Sequence, residues 1–377
     1  MIDPTLGELL AAMPQMPPLN AETLAQIRPF AAVPPPAVLA SPAATPTTAV
    51  SPDPIAASPA AVSPGPTAAS PAAVSPGPTA ASPAAAGSAS IGWQETSISG
   101  PDGAPLPLTI LRPAAASHAA PCVYWIHGGG MIMGNRYSQI DIPLEWLGEF
   151  GAVVVSVDYR LAPEARGSAP VDDCYQGLAW IFEHAEDLGV DAGRVVVAGA
   201  SAGGGLAAGV TLMARDRGLG PIAGQVLIGP MLDHRNETTS SRQFSGRPGV
   251  WTREMNEFAW RCLLGDADAP AGADLSSAAR TANRDGGAVS GYVSPAVAGD
   301  LAGLPPAYLD AGSAEVFRDE VVAYASRIWA AGGHAELHVW AGGFHGFDAL
   351  FPDAPLSVAA RRTRTAWVGR LWGPYRL

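Results

Sequence analysis

The feature that most constrains the fold is a series of short apolar runs that alternate with amphipathic, helix-like segments. Two clear examples are 152–157 (AVVVSV) and 195–198 (VVVA). Strands that are buried on both faces have this composition, and their alternation with helices is typical of a mostly parallel sheet covered by helices. We therefore predict an α/β fold from residue 91 onward. The eight expected strands span 93–99, 106–112, 122–127, 152–157, 194–200, 224–229, 306–311 and 335–340.

A long gap separates the sixth and seventh expected strands. Elsewhere helices are predicted between strands or after the last one, at 138–150, 170–188, 202–216, 318–331 and 355–371. The gap holds instead one helix at 252–264 and a stretch at 266–290, rich in Gly, Ala and Asp, that we expect to be mobile. Insertions at the carboxyl edge of a parallel sheet commonly cover the functional site.

A segment rich in Ala, Pro and Ser divides the chain early. Residues 56–67 read AASPAAVSPGPT, and residues 68–79 repeat them letter for letter. Because such a sequence has no large side chains to bury, residues 33–90 are predicted to be a disordered linker. Residues 1–32, which precede it, are predicted to form two short helices that are stable only when packed on the rest of the chain.

The charge and the cysteines exclude several kinds of partner. The net charge is −12, and the 22 basic residues, all of them arginine, form no cluster, which argues against nucleic acid and membrane partners. Residues 1–4 (MIDP) lack the basic start of a signal peptide and no continuous apolar stretch follows, so no signal peptide is expected. We expect a cytoplasmic protein with free thiols at Cys122, Cys174 and Cys262.

The strongest chemical signal is the sequence GASAG at residues 199–203. It follows an expected strand and precedes a helix rich in small residues, which is the context of a nucleophile elbow with Ser201 at the turn. The turn is so sharp that the neighbours of the serine must be very small. Since the N terminus of a helix also favours developing negative charge, Ser201 is predicted to be a nucleophile.

A second signal, HGGG, begins at His127, which ends the third expected strand. Acyl transfer needs backbone donors near the developing oxyanion, and glycines let bare N–H groups approach a substrate. We expect donors from Gly128, Gly129 and Gly130, and another from Ala202. His127 is expected to support the loop. The glycines lack the spacing of a dinucleotide loop, so no cofactor or metal is expected.

The base and the acid are expected later in the chain than the serine. Of the seven histidines, His345 stands just past the last strand between glycines, in GGFHGF, where an imidazole can lie over the edge of the sheet. The acid should follow the strand at 306–311. Glu315 lies in the loop there and is best placed to orient His345, and Asp319 is the alternative.

Together these segments resemble the hormone-sensitive-lipase-like family of esterases. The matching segments are His127–Gly130, Asp158–Glu164 (DYRLAPE), Gly199–Gly204, Glu315–Glu320 and His345–Phe347. The resemblance implies an α/β-hydrolase fold, with a mostly parallel eight-stranded sheet, helices on both faces and a helical cap. It also implies that residues 91–377 form the catalytic domain, and that residues 1–32 and the insertion at 231–290 build the cap.

In that family the nucleophile and the base match Ser201 and His345, and the acid, usually Asp, falls on Glu315. The oxyanion donors fall on the HGGG glycines, chiefly the second and third, and on Ala202. The DYRLAPE segment is expected to brace the nearby loops. The chain differs from its relatives at Ala200, where they commonly carry Asp or Thr.

The sequence therefore predicts a serine carboxylesterase that hydrolyses short- to medium-chain esters of small molecules through an acyl-enzyme. A homodimer is a plausible assembly. Three alternatives remain open, since a fold and a triad do not define a substrate. The same machinery could act on an amide, a lactone or an acetylated small molecule; the chain could be a non-catalytic ligand-binding relative; or the linker at 33–90 could be the functional part.

Overall fold

The computed structural model describes residues 1–14, 17–34, 91–113, 119–246, 249–265 and 288–373. The predicted linker at 33–90, apart from 33–34, and the predicted mobile stretch at 266–290, apart from 288–290, lie outside the described residues.

The described residues contain one eight-stranded sheet, in the order β1-β2-β4-β3-β5-β6-β7-β8. Its strands are β1 (Ile91–Ser99), β2 (Pro105–Pro113), β3 (Ala120–Ile126), β4 (Val153–Val157), β5 (Val190–Ala200), β6 (Ile222–Ile228), β7 (Ala307–Gly312) and β8 (Ala335–Trp340). The pairs β1–β2 and β2–β4 are antiparallel, and the other neighbours run parallel. The prediction of a mostly parallel eight-stranded sheet is confirmed.

Helices cover both faces of the sheet, as predicted. They are α1 (Pro4–Ala11), α2 (Ala21–Ala31), α3 (Asp141–Phe150), α4 (Ala169–Glu183), α5 (Ala202–Arg217), α6 (Thr239–Gln243), α7 (Arg253–Leu264), α8 (Arg318–Ala330), α9 (Phe347–Leu350) and α10 (Pro355–Trp372). The central strand β3 shows why two layers are needed. Cys122, Tyr124 and Ile126 belong to the core beneath α4, α5 and α8, whereas Val123 and Trp125 belong to the core beneath α3 and α10.

The region between α4 and β5 differs from the prediction. Helix α4 ends at Glu183 instead of 188, and β5 begins at Val190 instead of 194. The reason is a contact with β3: the N–H of Ala120 donates to the carbonyl of Gly189 (2.8 Å), and Ala120 then pairs with Val190. This pairing draws the segment into the sheet before the helical pattern has ended.

Helices α1 and α2 pack on the same body as the strands. Leu6 of α1 is fully buried in a cluster with Phe344 and Phe347, and the N–H of Asp3 donates to the carbonyl of Gly342 (3.0 Å). Leu24 of α2 is buried in the larger core. Both helices therefore contact loops at the carboxyl edge of the sheet. In the described part of the chain, no helix is both long and apolar enough to cross a bilayer.

Candidate active site

The turn between β5 and α5 holds Ser201 in a rare backbone conformation, with φ 57° and ψ −121°. Such values strain a residue other than glycine and are typical of functional sites. Close backbone packing forces the turn: a Cβ atom on Gly199 would lie 2.2 Å from the carbonyl oxygen of Gly203, and one on Gly203 would lie 2.0 Å from that of Ile126. The side chain of Ser201 therefore stands at the tip of a turn that requires glycine at positions 199 and 203.

A chain of hydrogen bonds runs from Ser201 to two residues on other loops. The Nε2 atom of His345, between β8 and α9, lies 2.9 Å from Oγ of Ser201. Its Nδ1 atom lies 2.5 Å from Oε2 of Glu315, between β7 and α8. The other oxygen of Glu315 accepts a hydrogen bond from the N–H of Gly312 (2.5 Å), and the side chain is only 2% exposed. The structure thus brings the three predicted residues together.

The other carboxylates near Glu315 have different partners. Asp319, the alternative acid, lies at the start of α8 and accepts a hydrogen bond from the N–H of Ser240 in α6 (2.7 Å). Asp310 is buried within β7 and pairs with Arg364 (2.9 Å). Glu315 is therefore the carboxylate that the loop after β7 presents to the imidazole.

The glycine loop after β3 lies against the serine. A Cβ atom on Gly128 would stand 3.2 Å from Cβ of Ser201, so the loop and the elbow pack directly on each other. Gly129 and Gly130 have φ values of 108° and 64°, which side chains rarely tolerate. In the part of the chain that the structure describes, the N–H groups of Gly129, Gly130 and Ala202 make no hydrogen bond. They are free to bind an oxyanion.

Gly128 departs from the prediction. Its N–H donates to the side-chain oxygen of Gln139 (3.0 Å), and it is therefore not available as an oxyanion donor. Sequence reasoning missed this contact because Gln139 belongs to no motif and lies in the turn that precedes α3. The amide thus fixes the first glycine of the loop, while the N–H groups of Gly129 and Gly130 have no partner among the described residues.

His127 supports this loop from below, as expected. Its ring is fully buried and stacks on Tyr159 (4.2 Å between centroids), whose hydroxyl donates to the carbonyl of His127 (2.9 Å). Burial lowers the pKa of His127 to about 4, so the ring is neutral near pH 7. Because Nδ1 lies 2.7 Å from the carbonyl oxygen of Gly128, the neutral ring must carry its proton there.

Arg28 of α2 holds the far side of the same loop. Its Nε donates to the carbonyl of Ile132 (2.7 Å), and its two terminal nitrogens bind Glu164 in a fork (2.7 and 2.9 Å). One of them also donates to the carbonyl of Ala162. Nothing in the sequence marked Arg28 for this role, although Glu164 belongs to the DYRLAPE segment that we expected to brace the loops.

Comparisons with known proteins identify the family and its esterase members. A family model described as alpha/beta hydrolase fold matches residues 123–349. Esterase LipI of Mycobacterium tuberculosis is 32% identical over 270 residues, which cover 69% of this chain and 77% of LipI. Carboxylesterase NlhH of the same organism is 32% identical over 233 residues, 62% of this chain and 68% of NlhH. The solved structure of a bacterial heroin esterase is 37% identical, with a TM-score of 0.68, and covers 75% of this chain and 85% of that one.

Proposed function

Because this chain belongs to the alpha/beta hydrolase fold family, we propose that Ser201, His345 and Glu315 are the catalytic triad of a serine carboxylesterase. The observation that carries the proposal is the continuous hydrogen-bonded chain from the strained serine through His345 to a buried carboxylate. Nucleophile, base and orienting acid are recognised by this geometry rather than by their place in the sequence. The esterase names of the relatives support an ester as the substrate.

The reaction follows from the positions of these groups. Oγ of Ser201 attacks the carbonyl carbon of the ester while Nε2 of His345 takes its proton, and Glu315 stabilises the imidazolium that forms. The N–H groups of Gly129, Gly130 and Ala202 donate to the oxyanion. His345 then protonates the leaving alcohol, and the acyl group stays on the serine. Water attacks this acyl-enzyme with His345 as base and releases the carboxylic acid.

We also propose that residues 1–32 and the insertion at 231–290 form a cap over the catalytic domain at 91–377. Two contacts support the position of the N-terminal helices. Leu6 packs beside the loop that carries His345, and Arg28 binds the loop that carries the oxyanion donors. The cap helices would then complete the walls of the site from two sides.

We further propose a cytoplasmic enzyme without nucleic acid or membrane partners, which can form a homodimer. The net charge of −12 and the buried free thiols of Cys122, Cys174 and Cys262 support the first part. The homodimer is supported by β8, an edge strand of the described sheet, which carries the exposed Val339. Sedimentation velocity of the wild type and of Val339→Arg tests the dimer, and a concentration-independent monomer would argue against it.

Hydrolysis of p-nitrophenyl esters, from acetate to palmitate, tests the main proposal. We expect wild-type activity on short- to medium-chain esters, a loss of about a thousandfold or more in Ser201→Ala, and no loss in the control Ser326→Ala on the surface of α8. A fluorophosphonate should label Ser201 in the wild type and nothing in Ser201→Ala. A folded wild type that neither hydrolyses these esters nor is labelled would contradict the proposal and favour a ligand-binding relative.

A further inference from the structure

Trp251 lies two residues before α7 and packs against the glycine loop after β3, which is called the oxyanion loop below. A Cβ atom on Gly130 would stand 2.5 Å from Cη2 of the indole, so the edge of the ring packs directly on the backbone of this glycine. The centroid of the ring lies 6.5 Å from that of His345. The side chain is 9% exposed. A large, nearly buried aromatic group thus lies next to Gly130 and near His345.

Hydrogen bonds fix the orientation of this indole. Its Nε1 donates to Oδ1 of Asn256 (3.3 Å), and the amide of Asn256 donates to Asn236 (3.1 Å), which in turn donates to the carbonyl of Arg253 (2.9 Å). Trp251 precedes the N-cap Thr252 of α7, and Asn256 lies one turn into the helix. These two positions usually form a hydrophobic staple. Here a hydrogen bond joins the two side chains, and it restrains the indole to one orientation at the start of α7.

We propose that Trp251 limits the length of the acyl chain that the site accepts. The proposal rests on the esterase function argued above. In the tetrahedral intermediate one carbon carries the oxyanion, the acyl chain and the alkoxy group, and the alkoxy oxygen must lie against His345 to receive its proton. The acyl chain is then the group left to pass along Gly130, where the indole stands. The leaving alcohol and the attacking water must instead reach His345 from solvent, and a side chain that is nine-tenths buried does not line such an open path.

The surroundings of the indole suit an alkyl chain. Trp251 belongs to a buried apolar cluster that also includes Met131, Met255 and Phe258, and Cβ of Ala259 lies near the same point beside Gly130 as the indole. Replacing the indole with a small side chain would open a space next to Gly130. Each methylene of a longer acyl chain that entered this space would improve kcat/KM about fourfold, the equivalent of one buried CH₂.

The test compares Trp251→Ala and Trp251→Leu with the control Trp251→Phe, which keeps an aromatic ring. The measured quantity is kcat/KM for p-nitrophenyl acetate, butyrate, hexanoate and octanoate, with the leaving group constant. We expect the octanoate-to-acetate ratio to rise about tenfold or more in Trp251→Leu and Trp251→Ala, and to change by less than about threefold in Trp251→Phe. The ratio reports on shape, because a general loss of folding lowers both rates together.

The proposal has clear ways to fail. An unchanged ratio in a folded Trp251→Leu or Trp251→Ala variant overturns it. So does an altered preference in a series of acetate esters with alcohols of increasing size when the acyl series stays unchanged, since Trp251 would then face the alcohol. If the wild type hydrolyses none of these esters, the proposed function itself has failed, and this outcome is distinct from an active wild type with an unchanged ratio in the variants.

Discussion

The nucleophile elbow and the oxyanion loop touch each other, yet different interactions position them. In the elbow, the backbone of Gly199 and Gly203 packs against carbonyl groups only a few ångströms away. The oxyanion loop is held by side chains from distant parts of the chain, notably Arg28, Gln139 and Tyr159. The elbow cannot accommodate an added side chain without a clash between backbone atoms. The oxyanion loop, in contrast, can lose one of its side-chain hydrogen bonds and keep the others. Changes in the elbow should therefore prevent folding, whereas changes around the loop should lower the stability by smaller steps or lower the rate.

The largest effect is expected from Gly203→Ala. Its Cβ atom would lie 2.0 Å from the carbonyl oxygen of Ile126 and 2.5 Å from that of His127, and neither backbone atom can move far within the sheet. We expect a loss of about 4 kcal/mol or more in the free energy of unfolding, or no folded protein. Urea denaturation measures it.

Gly148→Ala is the matched control for that variant. Gly148 also lies on a helix, but a Cβ atom there meets nothing within 4 Å. Alanine should stabilise the helix by about 0.5–1 kcal/mol. If Gly203→Ala were as stable as Gly148→Ala, the elbow would not be the tightly packed half of the site.

Lowering the pH should destabilise the folded protein through His127, the buried residue beneath the oxyanion loop. Its pKa is lowered from 6.5 to about 4 in the folded protein because the ring is buried. Between pH 6.5 and 4 the imidazole of His127 therefore binds a proton in the unfolded chain but not in the folded one. The contribution of His127 to the free energy of unfolding is fully present above pH 6.5 and is lost as the pH falls to 4. The loss over this window is about 3 kcal/mol. Urea denaturation at several pH values measures it.

His127→Asn isolates this contribution, because asparagine cannot titrate. Other carboxylates will add their own pH dependence to both proteins, and the difference between the two curves belongs to His127. Equal slopes for wild type and variant between pH 4 and 6.5 would show that the buried ring is not what couples this side of the site to pH.

The smallest of the three effects, and the one that best separates rate from folding, is expected from Arg28→Ala. The variant removes the donor to the carbonyl of Ile132 and the partner of Glu164, and this loosens the loop without deleting an oxyanion donor. We expect kcat to fall about 10- to 100-fold, less than the loss of a donor itself, with little change in KM. Arg28→Lys should be intermediate, since lysine cannot bind Glu164 in a fork.

Arg215→Ala is the control for the loss of an arginine. Arg215 also donates to two loop carbonyls, those of Asp300 and Ala302, but it lies at the end of α5 away from Ser201. An equal fall of kcat in both variants would attribute the effect to general destabilisation. Unchanged kcat in a folded Arg28→Ala would mean that the loop keeps its shape without α2.

The same comparison explains what could be predicted from the sequence. The elbow and the glycine loop could be predicted because each is built from a few consecutive residues of the required types. The sheet could be predicted from the alternation of apolar and amphipathic segments. Arg28 and Trp251 were missed because their contacts join segments far apart in the chain and need no fixed spacing. Gln139 lies close to Gly128 in the chain but was missed because it belongs to no motif, and its hydrogen bond is what removed Gly128 from the expected oxyanion donors. The end of α4 was misplaced because pairing with Ala120 outweighed the helical pattern.

The contact between Asp3 and Gly342 has a consequence for the order of events during synthesis. Helices α1 and α2 are made before the strands, but isolated helices of this length are marginal in water, and the loop that α1 needs is made only after β8. The elbow needs less of the chain: its last strand is β6, where the carbonyl of Ile228 accepts the N–H of Ser201. A growing chain therefore contains every residue of the elbow before it contains the base, and ester cleavage becomes possible only after the loop of His345 has been made and has closed onto α1.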